Sequence, residues 1–186
     1  MRELYRKIAH ILIGTGCLAG SYGILQWHGA EALEFVLVSV LGALVFCDVL
    51  IADYGWRLPL YHHLQRKHEV EGLHTATLGL LSSIIAYTFF ALPVAIAAIA
   101  MLIYGDAAAA IVGRYAGKAR KKTTIARTAA MLVVSVGIGW FVFGWIGAVM
   151  GVVATLAECL VTKIDDAITI PVFAGLAGEI LMRLYL

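Results

Sequence analysis

Seven stretches of mostly apolar residues follow one another along the chain, separated by short polar segments. They cover residues 8–25, 32–51, 73–91, 94–113, 127–143, 145–162 and 167–185. A helix needs about 20 predominantly apolar residues to cross the roughly 30 Å hydrocarbon core of a bilayer, and each stretch approaches that length. The pattern predicts an all-α polytopic membrane helix bundle of about seven transmembrane helices, with residues 1–186 forming a single integral membrane domain.

The composition supports a membrane protein over a soluble one. Of the 186 residues, 62% are hydrophobic and 14% are charged, and the mean hydropathy is +0.91. A soluble domain is about half apolar and about a quarter charged. Cys17, Cys47 and Cys159 fall in three different apolar stretches without paired spacing, so the sequence indicates neither a disulfide framework nor a zinc site.

The basic residues lie on one side of the predicted bundle. If the N-terminus is cytoplasmic, the inner segments are 1–7, 52–72, 114–126 and 163–166. Together with Arg127 at a helix start, these segments contain 13 of the 14 Lys and Arg residues, and Arg183 is the exception. Cytoplasmic loops of membrane proteins carry an excess of Lys and Arg. We therefore predict a cytoplasmic N-terminus and a multi-pass location in the cell membrane, or in the endoplasmic reticulum membrane of a eukaryote.

Three carboxylates interrupt the apolar stretches at a common depth. Asp48, Asp106 and Glu158 each lie within about two helical turns of a predicted cytoplasmic end. An ionised Asp near the bilayer centre costs about 2.5–3.5 kcal/mol on insertion scales, so such residues usually mark a site or a pathway. These three residues are candidate catalytic groups of one cavity on the cytoplasmic side.

Asp106 shares a helical face with small residues. The spacing places Ala109, Ala110, Gly113 and Gly117 on its side of the helix, which lets another helix or a ligand approach closely. A basic segment follows, with Lys118, Lys121 and Lys122. Such a cluster of cations suits a polyanion such as a nucleotide phosphate. Carboxylate, glycines and cations together predict a metal-phosphate site at the membrane surface.

The same residues resemble the signature of the CTP-dependent polyprenol kinases, a family that includes dolichol kinase, phytol kinase and the related fungal diacylglycerol kinase. The shared pattern is Asp106-x-x-Ala109-x-x-x-Gly113-x-x-x-Gly117-Lys118, then Lys122-Thr123. Four more segments agree in order: Arg6-Lys7-x-x-His10, residues 64–69, residues 72–77, and residues 154–158 followed by 165–171. The chain departs from the family at Ile125-Ala126, where Glu-Gly is frequent, and at Ala167, where Asn is frequent.

The resemblance implies a membrane lipid kinase that transfers the γ-phosphate of CTP to the hydroxyl of a long isoprenoid alcohol, with Mg²⁺ as cofactor. Phosphoryl transfer depends on positioning and on charge neutralisation by metal and cations. The expected catalytic residues are Asp106, Glu158 and Asp48, and any of these three carboxylates is a candidate for the base. The expected metal ligands are Asp106, Glu158, Asp165 and Asp166. The expected nucleotide-binding residues are Gly105, Ala109, Gly113, Gly117, Lys118, Lys121, Lys122, Thr123, Lys7 and His10.

Two other functions fit parts of the pattern. A cytidylyltransferase that makes a CDP-activated lipid also needs CTP, a metal and membrane access, but it releases pyrophosphate. A small ion-coupled transporter also uses intramembrane carboxylates, although transporters often contain internal repeats, and we find no convincing repeat here. The expected partners are a nucleotide, a long-chain isoprenoid alcohol and the lipid bilayer, with no nucleic acid. The small-residue faces permit a homodimer.

Overall fold

The structure is a computed structural model that describes residues 2–54, 74–116, 120–160 and 164–185, and the side chains of 5–53, 74–116, 124–160 and 164–185. The described residues form helices joined by short connections, with no strand among them. The prediction of an all-α fold is confirmed over this part of the chain. In chain order the helices are α1 (Arg2–Tyr54), α2 (Thr75–Phe89), α3 (Leu92–Ala100), α4 (Asp106–Tyr115), α5 (Arg120–Phe143), α6 (Trp145–Leu160) and α7 (Asp166–Tyr185).

The long first helix is interrupted at Gly29. This residue has φ 84° and ψ 178°, a conformation that glycine adopts readily because it lacks a Cβ. The break separates two helical stretches, which correspond to the first and second apolar stretches of the sequence. A different irregularity follows α3, where a π-helix, Met101–Gly105, continues directly into α4.

Four helical segments of the described chain are long and apolar enough to cross a membrane. They are Tyr5–Asp53, Leu92–Tyr115, Thr124–Phe143 and Asp166–Tyr185. The two remaining apolar helices are shorter, with 15 residues in α2 and 16 in α6. The membrane-spanning character of the bundle therefore has structural support, whereas the count of seven spans and the cytoplasmic N-terminus stay predictions.

The segment Leu92–Tyr115 lies at the centre of the bundle. In its most apolar window 72% of the residues are buried, compared with 11% for Tyr5–Asp53. Ala97, Ala98 and Met101 of this segment share one core cluster with residues of α5, α6 and α7, which are Met131, Met150, Ala154, Ile170 and Ala174. Large apolar side chains of α1, such as Leu12 and Phe35, face outward instead. Such an outward apolar surface is expected where a helix contacts lipid.

One end of the bundle is built from tight turns, and we call it the turn end. Gly144, with φ 59°, reverses the chain between α5 and α6. Next to it, Gly139 and Gly147 pack so closely that a Cβ on either would collide with the other's backbone. Gly151 likewise packs on the backbone of Ser135, so the spacing Gly147-x-x-x-Gly151 serves close packing between antiparallel helices.

Two further contacts and the α2–α3 connection lie at the same turn end. The Glu179 carboxylate of α7 accepts a hydrogen bond from the Ala91 N–H, at the start of α3, at 2.9 Å. The rings of Trp145 and Tyr185 meet edge to face, with centroids 4.9 Å apart. Because α2 ends and α3 begins at this end, the beginning of α2 and the end of α4 lie at the opposite end of the bundle.

Candidate functional site

The opposite end, which we call the charged end, contains the predicted carboxylates. At its centre is Asp106, the first residue of α4 directly after the π-helix. The Lys7 ammonium of α1 donates a hydrogen bond to Asp106 Oδ2. Only 5% of Lys7 and 7% of Asp106 is exposed. A buried pair of this kind stabilises the fold only while both charges are present, because either one alone is left without compensation.

Small residues and a hydroxyl pair hold α1 against the π-helix beside this ion pair. A Cβ at Gly14 would lie 2.9 Å from the Ile103 side chain, so only glycine leaves room there. One residue further on, the hydroxyls of Thr15 and Tyr104 lie 2.9 Å apart, within hydrogen-bond distance. Segments of π-helix occur frequently at functional sites, because they change the direction of the side chains that follow. The first part of α1 therefore packs directly against the segment that positions Asp106.

A second acid–base pair joins α5 to α6. Arg127 Nη2 lies 3.7 Å from Glu158 Oε1, and 45% of the Arg127 side chain is exposed, against 12% for Glu158. The charges of Asp106 and Lys7 also act on Glu158, so the two ion pairs lie near each other. Glu158 Oε2 is buried and has no hydrogen-bond partner among the described residues. We call Lys7, Asp106, Arg127 and Glu158 the charge cluster.

Asp48 belongs to a separate buried group at the start of α2. Its Oδ2 accepts hydrogen bonds from the His74 backbone N–H at 3.1 Å and from the Thr77 hydroxyl at 2.7 Å. Its Oδ1 lies 2.6 Å from His74 Nδ1. All three residues are buried. Asp48 therefore bonds the start of α2 from the neighbouring helix through Oδ2, while its Oδ1 lies beside the His74 ring without a hydrogen bond among the described residues.

The small residues of the Asp106 motif lie on the inner face of the segment. Ala109 and Gly113 are buried, as their helical spacing from Asp106 predicts. In contrast, Ala110 on the same predicted face is half-buried, and Gly117 lies outside the described residues. Gly105, directly before Asp106, is also buried. A Cβ at Gly105 would lie 2.8 Å from the Ser135 hydroxyl, so this glycine lets α5 approach the π-helix closely. On α1, His10 lies one helical turn after Lys7 and is half-buried.

Asp165 and Asp166 lie at the beginning of α7. Asp165 Oδ1 accepts a hydrogen bond from the Ala167 N–H at 2.9 Å, and its carbonyl accepts from the N–H groups of Ile168 and Thr169. This is the arrangement of a helix N-cap. Asp166 occupies the first turn of the same helix. The structure thus gives Asp165 a capping role that the sequence interpretation did not assign.

Half of the predicted nucleotide-binding residues cannot be placed. Gly117 and Lys118 lie outside the described residues, and Lys121, Lys122 and Thr123 belong to α5 but lie outside the part whose side chains are described. Lys7, His10, Gly105, Ala109 and Gly113 are described. Asp106 begins α4 and Arg127 follows the first turns of α5, and the basic residues 118–122 come between them in the sequence.

Two carboxylates of the charge cluster, Asp106 and Glu158, are the candidates for holding a metal ion. Among the described residues, no three His, Cys, Asp or Glu side chains meet as a ready metal site. Mg²⁺ usually binds through one or two carboxylates together with substrate phosphates and waters. Asp106 and Glu158 fit that requirement, since they share one cluster and Glu158 Oε2 has no described partner.

The sequence did not lead us to assign Arg127 as the partner of Glu158, or His74 as the partner of Asp48. A signal for Arg127 was present, because two antiparallel helices joined by a short turn bring together residues at similar distances from the turn. Counted from Gly144, the pairs Gly139–Gly147, Thr128–Cys159 and Arg127–Glu158 follow this rule. No comparable rule links Asp48 to His74, since residues 55–73 between α1 and α2 lie outside the described part.

The chain was also compared with known proteins. No protein-family model, curated protein or solved structure matches it. Functional interpretation therefore depends on the chain's own residues and their arrangement.

Proposed function

We propose that the protein is a CTP-dependent membrane lipid kinase that phosphorylates an isoprenoid alcohol of the polyprenol, dolichol or phytol type. The observation that carries the proposal is the charge cluster. Its four residues come from α1, α4, α5 and α6, yet they meet at one end of the bundle. Two of them, Lys7 and Asp106, belong to motifs that resemble those of the polyprenol kinases.

The proposed reaction joins the alcohol oxygen to the γ-phosphorus of CTP, breaks the bond from that phosphorus to the β–γ bridging oxygen, and releases CDP and the hydroxyl proton. Charge neutralisation and positioning supply most of the catalysis in such a transfer. Bound Mg²⁺ would reduce the negative charge of the phosphates. Asp106 and Glu158 would hold it, while Lys7 and the cations of 118–122 offset the remaining phosphate charge.

The proton acceptor needs little basicity in this scheme. The transition state of phosphoryl transfer is loose, so the hydroxyl proton leaves late. Asp48 is the least suitable of the three candidate bases, because its Oδ2 already accepts two hydrogen bonds and its Oδ1 lies 2.6 Å from His74 Nδ1. We assign Asp48 a structural role, and we assign Asp106 and Glu158 to the metal.

The location of the charge cluster suits a reaction between a soluble and a membrane-embedded substrate. The proposal places the cluster at the cytoplasmic face of a bundle of about seven spans, in the cell membrane or in the endoplasmic reticulum membrane of a eukaryote. Apolar side chains such as Leu12 and Ile13 on α1 face outward, on the same helix as Lys7. An isoprenoid tail could lie along such a surface while its hydroxyl reaches the charged end.

The proposed activity can be tested with purified protein in detergent, Mg²⁺ and a panel of polyprenols, phytol and diacylglycerol. CTP is supplied with the label at either the γ- or the α-phosphate. A kinase transfers the γ-label to lipid, whereas a cytidylyltransferase transfers the α-label. We expect γ-label in an isoprenoid phosphate and its loss with Asp106→Asn. Folded protein that transfers neither label would refute the proposal and favour transport.

A further inference from the structure

We propose that Arg127 is a phosphate-binding residue, which leaves Glu158 and contacts the polyphosphate when the magnesium–nucleotide complex binds. The inference rests on the proposed function and adds a residue and a binding step to it. Arg127 is adjacent to Ile125-Ala126, where the chain departs from the family pattern. Neither that pattern nor the basic segment 118–122 assigns it a role.

The geometry of the Arg127–Glu158 pair favours exchange over a fixed structural bond. The distance of 3.7 Å exceeds the roughly 2.7–3.2 Å of a good hydrogen bond to oxygen. Nearly half of the Arg127 side chain is exposed, whereas the Glu158 side chain is largely buried. The guanidinium can therefore turn to a ligand that arrives from water while the carboxylate stays in place.

Charge balance gives the exchange a direction. With its side chains in their usual ionised forms, the charge cluster contains two cations and two carboxylates and is neutral. If Asp106 and Glu158 hold Mg²⁺, the metal would balance the charge of the two carboxylates, and the two cations would then be able to pair with phosphate. Of the two, Lys7 is buried against Asp106, so Arg127 is the cation that first meets an incoming phosphate. Its planar guanidinium also suits bidentate contact with phosphate oxygens.

The chain contains a matched pair that should not behave in this way. Arg183 Nε lies 3.0 Å from Glu179 Oε1 at the turn end, and the other Glu179 oxygen accepts the Ala91 N–H. This is also an Arg–Glu pair within the bundle, but its carboxylate has two described partners. Arg183→Gln is therefore the control for Arg127→Gln, because it makes the same chemical change away from the charge cluster.

The experiment measures binding without requiring turnover. Thermal unfolding of the detergent-solubilised protein is followed while CTP or inorganic tripolyphosphate is titrated in the presence of Mg²⁺. We expect Arg127→Gln to weaken both ligands by about tenfold or more, which corresponds to about 1.4 kcal/mol of binding free energy. Arg127→Lys should lose less affinity, because it keeps the charge but not the bidentate contact. Arg183→Gln should bind like the wild type.

The outcomes separate this inference from the proposed function. If the wild type binds magnesium–CTP and transfers its γ-phosphate, but Arg127→Gln binds as tightly as the wild type, the inference is wrong and the kinase proposal stands. If the wild type neither binds nor transfers, both are wrong. If Arg127→Gln weakens CTP but not tripolyphosphate, Arg127 contacts another part of the nucleotide and the phosphate assignment is wrong. If Arg127→Gln does not fold, the same binding measurement is made with Arg127→Lys, and wild-type affinity in that variant would contradict bidentate contact with phosphate.

Discussion

Two Arg–Glu pairs lie at opposite ends of this bundle and differ in how completely the carboxylate is bonded. At the turn end, the Glu179 oxygens lie 3.0 Å from Arg183 and 2.9 Å from the Ala91 N–H. At the charged end, Arg127 is 3.7 Å from one Glu158 oxygen, and the other has no partner among the described residues. Buried polar atoms in proteins are normally hydrogen-bonded, so an exception calls for an explanation.

The difference separates a structural contact from a candidate ligand. Glu179 ties α7 to the start of α3, and its hydrogen bonds account for its position. Glu158 lies in the charge cluster with a buried oxygen whose partner is not provided by the described residues. In the proposed function, a bound Mg²⁺ would supply that partner. The contrast suggests that close packing and complete hydrogen bonding hold the turn end, whereas charge pairs that a ligand can rearrange hold the charged end.

The largest stability effect is expected from removing one member of the buried ion pair. Lys7→Met leaves Asp106 without its cation and should lower the free energy of unfolding by about 3–5 kcal/mol. Chemical unfolding in detergent micelles measures this. The double variant with Lys7→Met and Asp106→Leu should recover much of the loss, because no isolated charge remains. Equal stability of the single variant and the wild type would contradict a buried ion pair at the charged end.

A somewhat smaller effect is expected at the second buried group of the charged end. Asp48→Asn keeps the size of the side chain but removes its negative charge. That charge strengthens the hydrogen bonds that the carboxylate accepts from His74 and Thr77. Hydrogen bonds to charged groups contribute about 1.5–3 kcal/mol, so the free energy of unfolding should fall within that range. Nucleotide affinity should stay that of the wild type, because Asp48 is a structural residue in this account. A folded, stable variant that binds magnesium–CTP much more weakly would place Asp48 in the site instead.

The stability of the turn end should depend on close packing of small residues more than on charge. Gly139→Ala directs a methyl group into the Gly147 backbone, and overpacking of this kind costs about 1–3 kcal/mol. Gly137→Ala is the matched control on the same helix, because no atom lies within 4 Å of the position its Cβ would occupy. Thermal unfolding of the two variants should differ accordingly. Similar unfolding temperatures would show that α5 and α6 do not pack through their backbones.

Much of the architecture could be predicted because it depends on local pattern. Apolar stretches of helical length predicted the helices, and the spacing around Asp106 predicted which side of α4 is buried. The spacing did not predict the π-helix, Met101–Gly105, because this change of hydrogen-bond register depends on how α1 and α5 pack around it. Topology in the membrane depends on the bilayer, so the charge bias of the loops remains the evidence for orientation.

The candidate site could be predicted only in part. The common depth of Asp106 and Glu158 was visible in the sequence, and the structure places them in one cluster. Their cationic partners were not assigned, since Lys7 and Asp106 are 99 positions apart and only the packing of α1 brings them together. The role of Asp48 was also not visible in the sequence. Its position in the second apolar stretch predicts how deep it lies in the membrane, but not that it bonds the start of α2.

The most direct test of the central claim compares Glu158→Gln with Glu179→Gln for transfer of γ-phosphate from CTP to an isoprenoid alcohol. Each variant removes one carboxylate charge at one end of the bundle. We predict that Glu158→Gln lowers the rate by about 10²–10³-fold, a loss typical of removing one electrostatic contact to the transition state. Glu179→Gln should transfer at close to the wild-type rate. Equal rates for the two folded variants would contradict the assignment of the charge cluster as the active site.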